Sequence, residues 1–173
     1  MCKEWFNNLF KEKVVLKLPH PEEPVNVNCT MQNYNIDLIF QKWFEDYQVP
    51  FAYQFYWRNQ IEIEVTDNIP YPAATWGTPS GRHLAIRPMY LNAGVLAHEQ
   101  AHNSFALLTI SEQMEFIDLH TQLKKDNMMV KFLYSVNPYG LSNSVEGHAE
   151  LYRYLGETMP QELKRFYPKL FVV

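Results

Sequence analysis

Two histidines and a glutamate stand close together in the segment GVLAHEQAHNSF, residues 94–105. His98 and His102 are four residues apart, so a helix would place their rings on one face, one turn apart. Imidazole nitrogens arranged in this way bind a zinc ion at about 2.0–2.1 Å. Glu99 would be rotated by about 100° from His98, towards the rim of the site, where a carboxylate can take a proton from water. The spacing therefore predicts a zinc centre with Glu99 as a general base.

A surface helix whose histidines and glutamate have no joint function is the alternative interpretation of this segment. It has to explain two histidines in an otherwise apolar stretch, where Val95, Leu96 and Phe105 favour burial against a sheet. An accidental His-Glu-x-x-His match is expected in about one or two chains in a hundred of this composition. We therefore favour the metal site.

A catalytic zinc ion needs a third protein ligand and leaves its fourth position to water. Residues 143–156, NSVEGHAELYRYLG, offer Glu146, His148 and Glu150. On a helix Glu146 and Glu150 share one face, whereas His148 points about 200° away from Glu146, so one ion cannot bind all three. Either the glutamate face is directed inward and Glu146 binds the ion, or His148 completes a site of three histidines.

The two segments together resemble the zincin metallopeptidases, and within them the thermolysin-like or gluzincin branch. In this branch a second helix carries the pattern Glu-x-x-(Ser/Ala)-(Asp/Glu), which residues 146–150, EGHAE, match at each defined position. The first acid of the pattern binds zinc, and the last acid holds a zinc-bound histidine. The resemblance covers about residues 62–156, and it implies Glu146 as the third ligand and Glu150 as the partner of one of the histidines.

The chemistry that the resemblance implies is hydrolysis of peptide bonds with zinc as the cofactor. Glu99 would take a proton from the attacking water and deliver it to the leaving amine. The segment HLAIRP, residues 83–88, would be the edge strand along which an extended peptide substrate pairs. In thermolysin-like enzymes a tyrosine ahead of the glutamate helix helps to stabilise the oxyanion, and Tyr139 lies in the corresponding region. The alternatives for that role are Tyr134, Tyr152 and His148.

Two other classes of protein remain open besides a zinc peptidase that acts on a peptide or protein substrate. A zinc-binding but inactive interaction module would keep His98, His102 and Glu146. It would need nothing from Glu99, so the presence of that residue favours the peptidase. A metal-free structural protein would depend instead on the N-terminal segment.

The elements that must position these residues are predicted to form an α+β domain over residues 30–173. A small antiparallel sheet is expected to pack on the His-Glu-x-x-His helix and on a second, glutamate-bearing helix. Its strands are FAYQFYW, IEIEVTD and HLAIRP, with a turn at residues 58–60 and NIPYPAATWGTPSGR as a loop. Apolar residues at three- and four-residue steps predict helices over residues 36–47, 91–108, 111–126, 142–156 and in MMVKFLYSV.

Length, charge and cysteine content limit the remaining functions. A chain of 173 residues is long enough for one compact domain. A net charge of −4 provides no phosphate-neutralising surface, so nucleic acid is not an expected partner. The two cysteines do not form a Cys-x-x-Cys pattern, and no stretch is apolar enough to span a membrane or to act as a secretory signal. We therefore expect a cytoplasmic protein without a transmembrane segment or a disulfide framework.

Residues 1–29 are predicted to form an N-terminal amphipathic segment and a proline-rich connector. Trp5, Phe6, Leu9 and Phe10 fall at helical spacing with lysines around them. Such a helix docks on its own domain or on a partner, or lies on a membrane surface. The three prolines of KLPHPEEP predict an extended connector.

Overall fold

The computed structural model describes residues 36–78 and 81–172, so the predicted N-terminal segment, residues 1–29, lies outside the described residues. Within the described ranges the chain forms seven α-helices and a three-stranded sheet, which confirms the α+β class. In chain order the elements are α1 (Ile36–Asp46), α2 (Phe51–Gln60), β1 (Ile61–Val65), β2 (Ala73–Thr78), β3 (Gly81–Ile86), α3 (Ala93–Phe105), α4 (Ile110–Asp126), α5 (Met128–Val136), α6 (Ser144–Leu155) and α7 (Gln161–Lys164). Short 3-10 turns lie at Pro88–Tyr90, Pro138–Leu141 and Gly156–Thr158.

The sheet is mixed, so the prediction of an antiparallel sheet was wrong. Strand β3 lies in the centre, parallel to β1 and antiparallel to β2. The segment HLAIRP therefore belongs to the central strand, and in the described part of the chain β2 is the edge strand beside α3. The sequence predicts a loop for β2 because Ala73, Ala74 and Gly77 have low strand propensity, and pairing with β3 overrides that propensity.

The segment FAYQFYW is helical, which corrects its prediction as a strand. It forms most of α2, in which Tyr53 and Trp57 lie four residues apart and Trp57 is completely buried. Pro50 stands just before the first helical residue, where a missing backbone N–H does no harm. Residues 58–60 are the end of this helix and not a turn of a hairpin. Aromatic residues occur in both kinds of element, so a run this short does not distinguish them.

The other predicted helices are confirmed as α1, α3, α4, α5 and α6, with small shifts at their ends. Helix α4 begins earlier than predicted because Thr109 is its N-cap. The Thr109 side chain accepts a hydrogen bond from the backbone N–H of Glu112, whose carboxylate accepts one from the backbone N–H of Thr109. None of the helices in the described ranges has the length and apolarity that crossing a bilayer requires.

Helices α3 and α6 pack extensively against each other and form the centre of the domain. All residues of α3 except Gly94 and His102 are buried, including His98 and Glu99. Helix α3 is therefore not a surface helix, because its charged side chains lie inside the domain. The structure places α6 so that the predicted zinc-binding segments face each other.

Candidate metal centre

Helix α3 holds the two histidines at the base of a cleft. The Asn92 side chain accepts a hydrogen bond of 2.9 Å from the backbone N–H of Val95, which fixes the start of the helix. One turn separates His98 from His102, and their Nε2 atoms lie 3.0 Å apart. The two rings meet edge to face, with their centroids 4.7 Å apart. Both Nε2 atoms are thus directed to the same point.

Helix α6 brings Glu146 to that point. The Asn143 side chain caps this helix by accepting hydrogen bonds of 2.9 Å from the backbone N–H groups of Val145 and Glu146. Glu146 Oε2 lies 3.2 Å from His98 Nε2 and 3.3 Å from His102 Nε2. Tetrahedral coordination with bonds of about 2.0–2.1 Å requires ligand atoms about 3.3 Å apart. The three atoms therefore have the separations of a tetrahedral metal site.

The hydrogen bonding of Glu146 also fits a bound cation. Within the described residues Glu146 Oε2 is buried and forms no well-directed hydrogen bond, although the two imidazole Nε2 atoms lie at ion-pair distance from it, 3.2 and 3.3 Å away. A cation between this oxygen and the two imidazoles would satisfy it. Across the described ranges, His98, His102 and Glu146 are the one group of at least three such side chains whose ligand atoms all lie within 4.8 Å of one another.

The charges of the site attract one another strongly. Burial by itself would lower the pKa of His98, but the neighbouring Glu146 and Glu150 raise it to about 9. Burial would raise the pKa of Glu146, but His102 and His98 lower it to about 2. The carboxylate is therefore ionised at neutral pH, as a metal ligand must be.

Glu150 lies behind His98 and orients its ring. Its Oε1 atom is 2.6 Å from His98 Nδ1, and the residue is 1% exposed. Asn137 Nδ2 donates a hydrogen bond of 2.6 Å to Glu150 Oε2, and a guanidinium nitrogen of Arg153 lies 3.6 Å from Oε1. A carboxylate on Nδ1 favours the tautomer whose Nε2 is free to bind a metal. This is the position that the sequence predicts for Glu150.

Asn137 is a site residue that the sequence analysis missed. Besides binding Glu150, its side chain accepts a hydrogen bond of 3.1 Å from the backbone N–H of Tyr139. It thereby links the support of His98 to the turn that carries Tyr139. The available signal was the pair Asn137-Pro138 directly after an apolar helix, because Asn before Pro favours a turn.

Glu99 lies beside the ligands in a cleft of about 790 Å³. It is 6% exposed, and burial raises its pKa, while His98 and His102 act in the opposite direction. Ala73, Ala74 and Thr75 of β2 form part of one wall of the cleft, and Tyr139 also lines it. The glutamate is thus close to the ligand group and has access to the cleft.

Of the three tyrosines considered for stabilising the oxyanion, Tyr139 lines this cleft. Its ring centroid is 5.9 Å from that of His98, and burial and the charge of Glu146 raise its pKa. Tyr134 is buried and its hydroxyl lies 2.7 Å from His120 Nε2, while Tyr152 stacks against Tyr167 in the core. Tyr134 and Tyr152 therefore support the fold.

His148 lies on the opposite side of α6, inside the core. It is completely buried, with an exposed fraction of 0%. Its Nε2 donates a hydrogen bond of 2.7 Å to the Phe166 carbonyl, and its ring stacks at 3.9 Å on Tyr167. Burial lowers its pKa to about 3. The face of α6 that carries His148 therefore packs in the core, whereas Glu146 and Glu150 on the other face line the cleft.

Gly147 allows the ring of His120 to pack closely against α6, next to Glu146. A Cβ at Gly147 would lie 2.2 Å from His120, whose ring is held by Ser144 at 3.1 Å and by Tyr134 at 2.7 Å. Gly147→Ala should therefore lower the free energy of unfolding by about 1–3 kcal/mol and weaken zinc binding. Chemical denaturation and a metal titration measure the two effects.

The matched control for this substitution is Gly77→Ala, because a Cβ at Gly77 meets nothing within 4 Å. The free energy of unfolding of that variant should lie within about 0.5 kcal/mol of the value for the unchanged protein. Equal stability of the Gly147→Ala and Gly77→Ala variants would contradict a rigid contact between His120 and α6.

Comparison of the chain with models of protein families, with curated proteins and with solved structures finds no match. The functional argument therefore depends on the geometry and the chemistry of the site itself.

Proposed function

We propose that this protein is a zinc-dependent peptidase with a gluzincin-like site. The observation that carries the proposal is the group of three ligand atoms, 3.0–3.3 Å apart, beside Glu99 at the base of a cleft. His98, His102 and Glu146 would hold the ion.

Zinc is the metal that this donor set favours. Two imidazoles and one carboxylate are the ligands of catalytic zinc in thermolysin-like sites, whereas magnesium and calcium prefer oxygen ligands throughout. When bound, zinc would supply a Lewis acid that polarises the peptide carbonyl and lowers the pKa of water. Glu150 would keep His98 in the tautomer that binds the ion.

The proton transfers are assigned to Glu99. Its carboxylate would accept a proton from the attacking water and then donate it to the nitrogen of the leaving amine. A pKa raised by burial makes a carboxyl group a better base and allows it to hold this proton between the two steps. The hydroxyl of Tyr139 would donate a hydrogen bond to the oxygen on which negative charge develops.

Strand β2 is proposed to bind the substrate main chain. The Arg87 backbone N–H donates to the Pro72 carbonyl at 3.0 Å, and in antiparallel pairs such bonded positions alternate with unbonded ones. The N–H and C=O groups of Ala73, Thr75 and Gly77 are therefore directed away from β3, towards the edge of the sheet. An extended peptide would pair with these groups by adding a strand.

An inactive zinc-binding module is the second candidate, and one observation bears on it. Such a module has no use for Glu99, yet this carboxylate is almost completely buried next to Glu146, another acid. Burying a second acidic group there costs stability, and such a cost is expected where the carboxylate takes part in the chemistry of the site. The peptidase accounts for Glu99 and the module does not.

Metal analysis combined with a peptidase assay tests this proposal. We expect about one zinc ion per chain after purification without added metal. Cleavage of an internally quenched peptide library should stop when the ion is removed by a chelator and return with zinc but not with magnesium. Chelation should also lower the melting temperature, because an ion bound only to the folded state stabilises it. Zinc without cleavage would favour the inactive module, and a protein that binds no zinc would refute both.

A further inference from the structure

Arg82 lines the same cleft as His98 and Glu99. It is the second residue of β3 and pairs with Gly77 of β2. Residues directly opposite each other in a sheet share a face, and that face also carries Thr75, two residues from Gly77. The Thr75 hydroxyl is 3.1 Å from Asn103 Oδ1 of α3. Arg82 therefore stands on the face of the sheet that is turned towards the metal-site helix.

The charge of Arg82 is not compensated within the described residues. No ion pair or hydrogen bond of its guanidinium group is found in the described ranges. The other four arginines each lie within ion-pair distance of a carboxylate, namely Arg58 with Asp37, Arg87 with Asp67, Arg153 with Glu150 and Arg165 with Glu115. A guanidinium group at a cleft wall without such a partner is available to bind an anionic ligand.

Gly77 leaves the path between Arg82 and the open edge of β2 clear. Any other residue at this position would project a side chain from the same face, between the guanidinium group and a strand added to β2. A Cβ at Gly77 would have no heavy atom of the described residues within 4 Å, apart from Gly77 and its two chain neighbours, so there is open space beside it. A side chain of a bound peptide can extend into this space.

Together these contacts assign a substrate preference to the cleft. We propose that Arg82 binds a carboxylate of the substrate, so that the proposed peptidase prefers peptides with an acidic group near the scissile bond. A strand paired with β2 places one residue opposite Thr75, next to the metal site, and another opposite Gly77, about 7 Å further on. The acidic group belongs to the second of these residues, as a side chain or as the C-terminal carboxylate. This inference rests on the peptidase function proposed above.

Binding and cleavage of defined peptides test the inference. Three probes are fluorescent alanine-rich decapeptides with an amidated C-terminus and a single Glu, Gln or Lys. A fourth peptide has no charged side chain but has a free C-terminal carboxylate. Fluorescence anisotropy on zinc-loaded protein with Glu99→Gln reports affinity without turnover, and the protein with Glu99 intact reports cleavage. Charge-assisted hydrogen bonds predict that Glu binds about 10–100-fold more tightly than Gln.

Substitutions of Arg82 separate recognition from folding. Arg82→Gln should remove the preference for Glu, and Arg82→Glu should reverse it in favour of Lys, which a folding defect cannot do. The matched control is Arg165→Gln, on an exposed ion pair away from the cleft, which should keep the preference. Tighter binding of the fourth peptide than of its amidated form would identify the C-terminal carboxylate as the group recognised.

The outcomes distinguish this inference from the function on which it rests. Cleavage without preference for Glu, or with a preference that survives Arg82→Gln, overturns the role of Arg82 and leaves the peptidase proposal standing. Tighter binding of acidic peptides that depends on Arg82, without any cleavage, supports the carboxylate site and refutes the peptidase. If none of these peptides is bound and none is cleaved, the inference is refuted.

Discussion

Replacing Glu146 by Ala is expected to lower the affinity for zinc by several orders of magnitude. The substitution removes one of three ligands and leaves His98 and His102, whose Nε2 atoms are 3.0 Å apart, without the charge that holds them together. His102→Ala should have an effect of similar size. Glu150→Ala should cost only about 10–100-fold, because this carboxylate acts on the ring of His98 and not on the ion. Competition titration with a zinc-sensitive dye measures all three.

The control for the third ligand is His148→Gln, which keeps a side-chain N–H for the Phe166 carbonyl. This variant should lose stability, since His148 packs on Tyr167, but it should retain zinc. Loss of zinc in His148→Gln together with full affinity in Glu146→Ala would refute the gluzincin-like site in favour of a site with three histidines.

Glu99→Gln is expected to reduce peptide hydrolysis by at least about a hundredfold, which is the usual effect of removing a general base. The amide has nearly the shape of the carboxylate, so zinc content and thermal stability should stay close to those of the unchanged protein. Steady-state cleavage of an internally quenched peptide and elemental analysis of the same sample give both values.

Glu162→Gln is the matched control for this change, because Glu162 is exposed on α7 and does not line the cleft. It should cleave at the rate of the unchanged protein. Zinc loss in Glu99→Gln would make Glu99 a ligand and would contradict the mechanism. Undiminished hydrolysis with zinc present would show that another group is the base.

The site was predictable from the sequence because its geometry is largely local. The four-residue spacings within α3 and within α6 place His98 next to His102 and Glu146 on the face of Glu150, whatever the rest of the fold does. The structure brings these four side chains together. The roles of zinc, Glu99 and Tyr139 are proposals, and the experiments above test the first two.

What the sequence did not predict depends on contacts between distant segments. Strand β2 exists because β3 pairs with it, although Ala74 and Gly77 have little intrinsic preference for a strand. The burial of His148 requires the C-terminal residues Phe166 and Tyr167, which follow α7. Arg82 becomes a cleft residue only through its register opposite Gly77. No local pattern encodes these pairings.

The edge of β2 to which we assign the substrate is also a template for self-association. Within the described residues β2 has β3 as its one neighbour, so its outward N–H and C=O groups can pair with β2 of a second molecule. If the β2 strands of two molecules paired antiparallel, centred on Thr75 of each, each molecule would cover the cleft of the other. Such a ladder is short, because β2 has six residues and, of these, Ala73, Thr75 and Gly77 direct their N–H and C=O groups outward. If the proposed peptidase function holds, concentrated protein should inhibit itself reversibly, and an extended peptide should dissociate the pairs.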